Sequence, residues 1–468
     1  MKPQLADSLV MAGLARELNQ VLAGGTVRRV LPMSKQAVAL DVVSGKGQQY
    51  LLLDWQVGAA RAHLVAAPKP ISEETSFQGA LRRQLREATV LGLSQRGFDR
   101  LLVVELANLG GLGAREQGML ILEATGKQAN CLLVVRGDDE IAAVARPTPR
   151  RDDLYRTLAV GARYYPPPGH DKLDPRSADA EALRVAVGRS DKPLRAALRD
   201  AVAGLSNILL SEVCLRAELS AEESVTDLPR DWPERWASAM ADVVLKAEEG
   251  RAWMYHDDDD QPALVYPVRL RQEDQEPEET ASLSEGLSLV GQRIEEREER
   301  RRLRADLLRE LRGEVERKRR VLERRREELR AATNAEQWRL WGELLVANLH
   351  SIGDAQPGGE VELVDYYSPD QRTVRIPLLP GRSAQATAEV YFRRHKRDQR
   401  AMDRLPNLIT QAERRLRAAE EKLQQVEESE GLEELRKARG EDWDSRRRRA
   451  SRRTGSEGPK VGRTEAPT

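Results

Sequence analysis

Cysteine is almost missing from this chain. Cys131 and Cys214 stand far apart with no partner spacing, which excludes a disulfide framework and a Cys-ligated zinc site and points to the reducing cytoplasm. Histidine is equally sparse: His63, His170, His256, His350 and His395 are scattered, none in a His-x-x-x-His or Glu-x-x-His arrangement, so neither a metal centre nor a cofactor is expected. Aromatic residues make up 4% of the chain, with three Phe, which is lean for a wholly globular protein and suits long solvated helices. No apolar run approaches the roughly 18 residues that would cross a bilayer, and Met1-Lys2-Pro3-Gln4-Leu5-Ala6 lacks a signal-peptide core, so no membrane contact or export is expected. An excess of one charge is missing too. Lys plus Arg number 76 and Asp plus Glu 76, so only the distribution of charge can speak about partners. Phosphate loops of the Gly-x-x-x-x-Gly-Lys type, Gly-x-Ser-x-Gly elbows and Cys-His nucleophile pairs are all lacking, and a binding protein rather than an enzyme is expected.

What is present is a change of pattern along the chain. At 468 residues, two to four structural units are expected. Leu9, Leu14, Leu18 and Leu22 recur at helical spacing up to Gly24-Gly25, predicting an N-terminal helix. Short β-branched runs follow at Val27 to Leu31, Ala37 to Val43, Tyr50 to Asp54 and Ala62 to Val65, which reads as an antiparallel meander. A helix at 77–88 and further strands between 89 and 145 complete one α+β domain, which the proline-rich strut ending at Pro175 closes, giving a boundary of 1–175. Residues 176–250 read as helices with Gly204-Leu205-Ser206 at a turn, the outline of a helix-hairpin-helix domain or of an ordinary helical hairpin. An acidic connector with one strand near Ala263 to Leu270 spans 251–282.

Beyond it, Leu308, Val315, Leu322 and Leu329 fall seven apart. So do Met402, Ile409, Leu416 and Leu423, with Leu405, Ala412, Ala419 and Val426 at the second heptad position. An antiparallel coiled coil is predicted, helix 1 over 283–337 and helix 2 over 399–438, with a small α+β middle module over 338–398 at its tip. The coil is either a spacer or an RNA-contacting surface. The tail 439–468 carries Arg446, Arg447, Arg448 and Arg449, has no apolar periodicity, and is expected to be disordered and basic.

The most telling stretch is Gln95-Arg96-Gly97-Phe98-Asp99-Arg100-Leu101, an Asp-Arg pair opening a strand after a glycine turn. Taken alone it is an ordinary solvated turn. It resembles the Asp-Arg signature of the NFACT family of ribosome quality control proteins, and the resemblance continues in order through Asp7 and Arg16-Glu17-Leu18-Asn19, Leu51-Leu52-Leu53 with Ala60-Arg61, and Leu81-Arg82-Arg83-Gln84-Leu85. Glu123 to Asn130, Arg156, Gly161-Ala162-Arg163-Tyr164 and Lys172-Leu173-Asp174-Pro175 carry it through the first domain, which would be the family's NFACT-N domain. Farther on it touches Gly204-Leu205-Ser206, Asp365-Tyr366-Tyr367 and Tyr391-Phe392-Arg393-Arg394. It ends near residue 440, where family members usually continue into an NFACT-R domain that is expected to be lacking here.

The resemblance implies a cytoplasmic factor, monomeric on the ribosome, that binds obstructed large ribosomal subunits carrying peptidyl-tRNA. It implies recruitment of charged tRNA, alanyl-tRNA in bacterial members, for C-terminal tailing of the stalled chain without mRNA. The matching positions implied for tRNA are Asp7, Arg61, Arg82, Asp99, Arg100, Lys127 and Asn130. Gly204, Ser206 and Arg446 to Arg449 are assigned to rRNA. Two other classes compete: a coiled-coil adapter or adhesion protein, and a nucleic-acid-binding protein like the formamidopyrimidine-DNA glycosylases, to which the family's first domain is distantly similar. The Pro-Glu start of those enzymes is absent, since Lys2-Pro3-Gln4 follows Met1.

Overall fold

The computed structural model describes residues 5–110, 116–135, 137–148, 156–168, 172–188, 190–273, 275–352, 358–429 and 431–440. It divides into two compact units, Met1–Glu296 and Arg297–Thr468.

The first unit opens with helix α1 (Ser8–Leu22), strands β1 (Thr26–Ser34), β2 (Ala37–Ser44), β3 (Gly47–Asp54) and β4 (Arg61–Val65), and helix α2 (Ser76–Leu85). Strands β5 (Thr89–Gln95), β6 (Leu101–Leu109), β7 (Glu116–Glu123), β8 (Asn130–Val135) and β9 (Glu140–Val144) follow. All nine join one antiparallel sheet in the order β4-β3-β2-β1-β5-β6-β7-β8-β9, two meanders fused where Thr26 pairs with Thr89. The Asp7 side chain caps α1 by accepting from the amides of Leu9 and Val10 at 3.0 Å, and Leu9, Leu14, Leu18 and Leu22 bury one stripe of the helix. That stripe touches β2, β4, β5 and β6, so one helix fills both meanders. Strand β6 opens with four apolar residues in a row, Leu101 to Val104, because it is covered twice: Leu102, Val104 and Leu106 face the main core, while Leu101 and Val103 face a second core with Leu158 and Tyr164.

Helices α3 (Ala180–Val187), α4 (Leu194–Ala201), α5 (Asn207–Arg216) and α6 (Trp232–Ala247) come next, then strands β10 (Ala252–His256), β11 (Pro262–Tyr266) and β12 (Glu278–Thr280) in a sheet of order β11-β10-β12. The sequence predicts one strand in this acidic stretch and the structure holds three. Strand β12 is too short, and too rich in glutamate, to leave a period-two signal. Helix α7 (Leu283–Ala332) begins here, with Leu283, Leu287 and Val290 in the main core.

The second unit holds the rest of α7, then α8 (Ala335–Ala347), α9 (Leu349–Ile352), strands β13 (Glu360–Val364) and β14 (Thr373–Pro377), and helices α10 (Ala384–Glu428) and α11 (Leu432–Arg439). Ion pairs Arg312–Glu427 at 2.9 Å, Arg319–Glu420 at 3.2 Å and Arg326–Glu413 at 2.7 Å step seven residues up α7 and seven down α10, so the helices run antiparallel. Leu303, Leu307, Val315 and Leu322 are buried on α7, and Leu405, Ala412, Ala419 and Val426 on α10. The series beginning at Met402 stays half-buried or exposed. The sequence places a domain boundary between 398 and 399, and one helix, α10, crosses that point, running unbroken from Ala384 through Pro406. Proline removes one backbone donor there, and the buried neighbours Leu405 and Ala412 hold the helix across it. The module's own core gathers Leu344, Leu345, Ile376, Leu378 and Tyr391, with Trp338 stacked 5.4 Å from Tyr391. Among the described residues no helix is long and apolar enough to cross a membrane.

Candidate nucleic-acid interface

A cavity of about 690 Å³ opens where the 95–101 turn meets the segment joining α4 to α5. The turn is pinned by Gln95, whose Nε2 donates to the carbonyls of Ser8 and Asp99, both at 2.7 Å. Opposite it stands Gly204, at φ +67° and so close to the turn that a Cβ there would lie 1.9 Å from the Phe98 carbonyl oxygen. A third wall is Pro166-Pro167-Pro168.

Four basic side chains, Arg96, Arg100, Lys172 and Arg199, line this cavity with three carboxylates, Asp7, Asp99 and Asp174. Two of those carboxylates are already engaged. Asp7 spends one oxygen on the α1 cap and accepts with the other from Ser206 Oγ at 2.6 Å and Tyr266 Oη at 2.8 Å. Burial, then the adjoining Asp7 charge, pushes the Tyr266 phenol well above its ordinary range, which keeps it an O–H donor. Burial works against the ionised form of Asp174, but the hydrogen bonds and charge of Arg176, 2.5 Å away, leave its carboxyl below the usual range. Asp99 differs: one oxygen accepts from the Arg100 amide at 2.7 Å, and the other has no partner among the described residues. The Arg100 guanidinium has none either. The cavity therefore offers cations, Arg100 open among them, and one open acceptor beside apolar walls, a set chemically suited to an anion at Arg100 and a hydrogen-bond donor at Asp99.

The structure brings five sequence-predicted residues to this one place: Asp7, Asp99, Arg100, Gly204 and Ser206. Gly204 and Ser206, assigned from the sequence to rRNA, thus share a wall with Asp7, Asp99 and Arg100. Ser206 is also the α5 cap, accepting from the Leu209 amide at 3.0 Å, so Ser206 and Asp7 shape the cavity rather than reach into it. Lys127 is exposed on the 126–128 turn, whose neighbours Thr125 and Gln128 line the cavity. Arg82 lies on α2 away from it, paired with Glu74 at 2.7 Å.

Two residues expected to contact tRNA are interior instead. Asn130 is 2% exposed, accepting from the amides of Cys131 and Arg146 and donating to the Arg146 carbonyl, so its amide is engaged inside the protein. Arg61 is also 2% exposed, bound to Asp54 at 2.9 Å and to Glu295 of α7. Gly291 leaves the room it occupies, since a Cβ there would meet Arg61 Nε at 2.6 Å. Arg446 to Arg449 lie outside the described residues. Sequence reading missed Arg96 and Lys172, although both stand inside motif stretches, and it had no signal for Arg199 or Tyr266.

Beside Arg61 sits His63, whose Nε2 accepts from Arg61 Nε at 3.4 Å and whose Nδ1 donates to the Leu64 carbonyl at 3.0 Å. Burial lowers its pKa, the Leu64 carbonyl partly opposes this, and Arg61 lowers it again, to about 4. The unfolded chain, at its ordinary value near 6.5, takes the proton first, so stability is full above pH 6.5 and falls as pH drops towards 4, by about 3 kcal/mol in all. Urea unfolding at pH 7 and pH 4.5 measures this. His63→Gln is expected to shrink the difference between the two.

Comparison with known proteins is decisive at this point: the profile of NFACT N-terminal and middle domains matches residues 7–446. The chain belongs to the NFACT family. Among curated NFACT relatives, the Rqc2 homolog RqcH of Bacillus subtilis is 24% identical over 421 residues, 89% of this chain and 70% of that protein. The Rqc2 homolog RqcH of Streptococcus pneumoniae is 25% identical over 440 residues, 93% of this chain and 74% of that one. The N-terminal structure of the fibronectin/fibrinogen-binding protein of Streptococcus suis superposes with a TM-score of 0.51 at 21% identity, covering 62% of this chain and 99% of that one, and shows a shared fold. The NFACT match takes in both the walls of the cavity and the antiparallel helices.

Proposed function

We propose that this NFACT protein acts in the cytoplasm as a ribosome quality control factor. It binds obstructed large ribosomal subunits that still carry peptidyl-tRNA and recruits charged tRNA, alanyl-tRNA by analogy with its bacterial family, for tailing of the stalled chain. Peptide-bond formation belongs to the ribosome, and the protein contributes binding rather than reacting groups, working as a monomer.

The observation that carries this reading is the cavity in which Arg100 and one Asp99 oxygen stand without partners among the described residues. An unpaired RNA loop presents phosphates and base edges together, and recognition of RNA by proteins favours such exposed loop nucleotides. Arg100 meets phosphate, Asp99 accepts from an exocyclic amine, and the prolines supply apolar contact. Kinship with proteins named RqcH supports the ribosomal setting.

Affinity purification from cells, followed by sequencing of bound RNA, tests the proposal. The intact protein is expected to recover large-subunit rRNA with one enriched elongator tRNA, and Asp99→Ala/Arg100→Ala is expected to lose the tRNA. In vitro, Arg100→Ala should lower the slope of log affinity against log salt by about 1, the signature of one lost phosphate contact. Recovery of neither RNA by the intact protein would refute the reading.

A further inference from the structure

Two adjacent tyrosines have opposite fates. Tyr164 is 3% exposed, donating its hydroxyl to Glu123 at 2.9 Å, whereas Tyr165 is 49% exposed. The backbone around them is held by hydrogen bonds: the Tyr164 amide donates to the Asp139 carbonyl at 2.7 Å. Arg156 grips both oxygens of the fully buried Glu123, at 2.6 and 2.7 Å, and its Nη1 also donates to the Tyr165 carbonyl at 3.1 Å. Directly after Tyr165 come the three prolines that wall the cavity. Proline fixes φ and has no N–H, and an extended proline segment advances about 3.1 Å per residue, so Tyr165 stands within about 10 Å of each of them.

One face of the exposed ring is backed. The Arg163 guanidinium carbon lies 6.0 Å from the Tyr165 centroid, and Arg96 is placed in the same way over Tyr164, at 5.5 Å. A half-exposed aromatic ring with a cation behind it, on a rigid strut at the edge of a cationic cavity, has the makings of a base-stacking surface. Stacking needs only a π-face, whatever the base, and alternates naturally with phosphate contacts such as those open at Arg100.

We infer that Tyr165, backed by Arg163, is a stacking platform for an unpaired nucleobase next to the nucleotide held in the Asp99–Arg100 cavity. The inference rests on the RNA reading of that cavity, which it extends to a second nucleotide. The buried Glu123–Arg156–Tyr164 cluster then positions the platform.

The test is fluorescence anisotropy of the full chain with a labelled RNA hairpin bearing an unpaired loop, and with a duplex of equal length. Tyr165→Ala is expected to weaken hairpin binding about tenfold, the scale of one lost base–aromatic stack, with duplex binding and the salt slope unchanged. Tyr165→Phe should retain wild-type affinity. An unchanged unfolding midpoint in Tyr165→Ala confirms that the loss is local. If Tyr165→Ala binds like wild type while Arg100→Ala is weakened, the platform is overturned and the cavity reading stands. If wild-type binding to the hairpin is indifferent to Arg100→Ala, the cavity reading itself is overturned, and the platform as its neighbour with it.

Discussion

Arg156→Ala is expected to cost about 3–5 kcal/mol of stability, because it strands a carboxylate inside the protein. Glu123 has no exposure at all, and Arg156 supplies a bidentate pair to it while the Tyr164 hydroxyl supplies a third hydrogen bond. Burial disfavours the charge on Arg156, yet the hydrogen bonds and charge of Glu123 raise its pKa on balance, and burial together with Glu123 pushes the Tyr164 phenol upward. The cluster ties the end of β7 to the segment that leads into the three prolines. Removing one partner leaves the full desolvation penalty of the other. Replacing both, as in Glu123→Leu/Arg156→Leu, removes the stranded charge and should recover much of the loss, which urea unfolding of the single and double variants measures. Equal losses in Arg156→Ala and the double variant would show that packing, not charge, is what Arg156 contributes.

Gly204→Ala is expected to destabilise the first unit by about 2–6 kcal/mol, combining left-handed backbone strain with overpacking. A Cβ at this position would lie 1.9 Å from the Phe98 carbonyl oxygen and 2.7 Å from Ser8 Oγ. Neither the backbone oxygen nor the capped start of α1 can yield without moving the Asp99–Arg100 turn. Gly188→Ala separates the two causes: φ there is +61° with nothing within 4 Å, so strain acts alone and about 1–3 kcal/mol is expected. RNA binding should fall in the Gly204 variant and persist in the Gly188 variant, since only the former walls the cavity.

Much of the architecture was legible in local pattern. The Leu9-to-Leu22 stripe and the heptads of α7 and α10 repeat with the period of the helix, because burial of one face selects that period, while β1 to β4 showed as short β-branched runs bounded by turn residues. The Asp99–Arg100 pair was also visible, by resemblance, and the structure leaves its charged groups open to the cavity. Other readings failed where a residue's partner is remote. Asn130 and Arg61 look from sequence like the other polar motif residues, but one closes the β8 hairpin and the other joins β4 to the start of α7. Strand β12 was invisible, and the single helix α10 spans the 398/399 domain boundary drawn from sequence.

By itself the sequence determined most of the helices and strands, the change from sheet-forming runs to long charged helices, and membership of the NFACT family, because periodicity and ordered motifs are properties of neighbouring residues. The tertiary structure alone decided which motif residues reach solvent. Asp7 meets Tyr266 across 259 positions, and Gly204 packs directly against the Phe98 backbone. Whether a polar side chain is a strut or a binding group depends on whether its hydrogen bonds are already satisfied, and that is settled only when distant segments pack together.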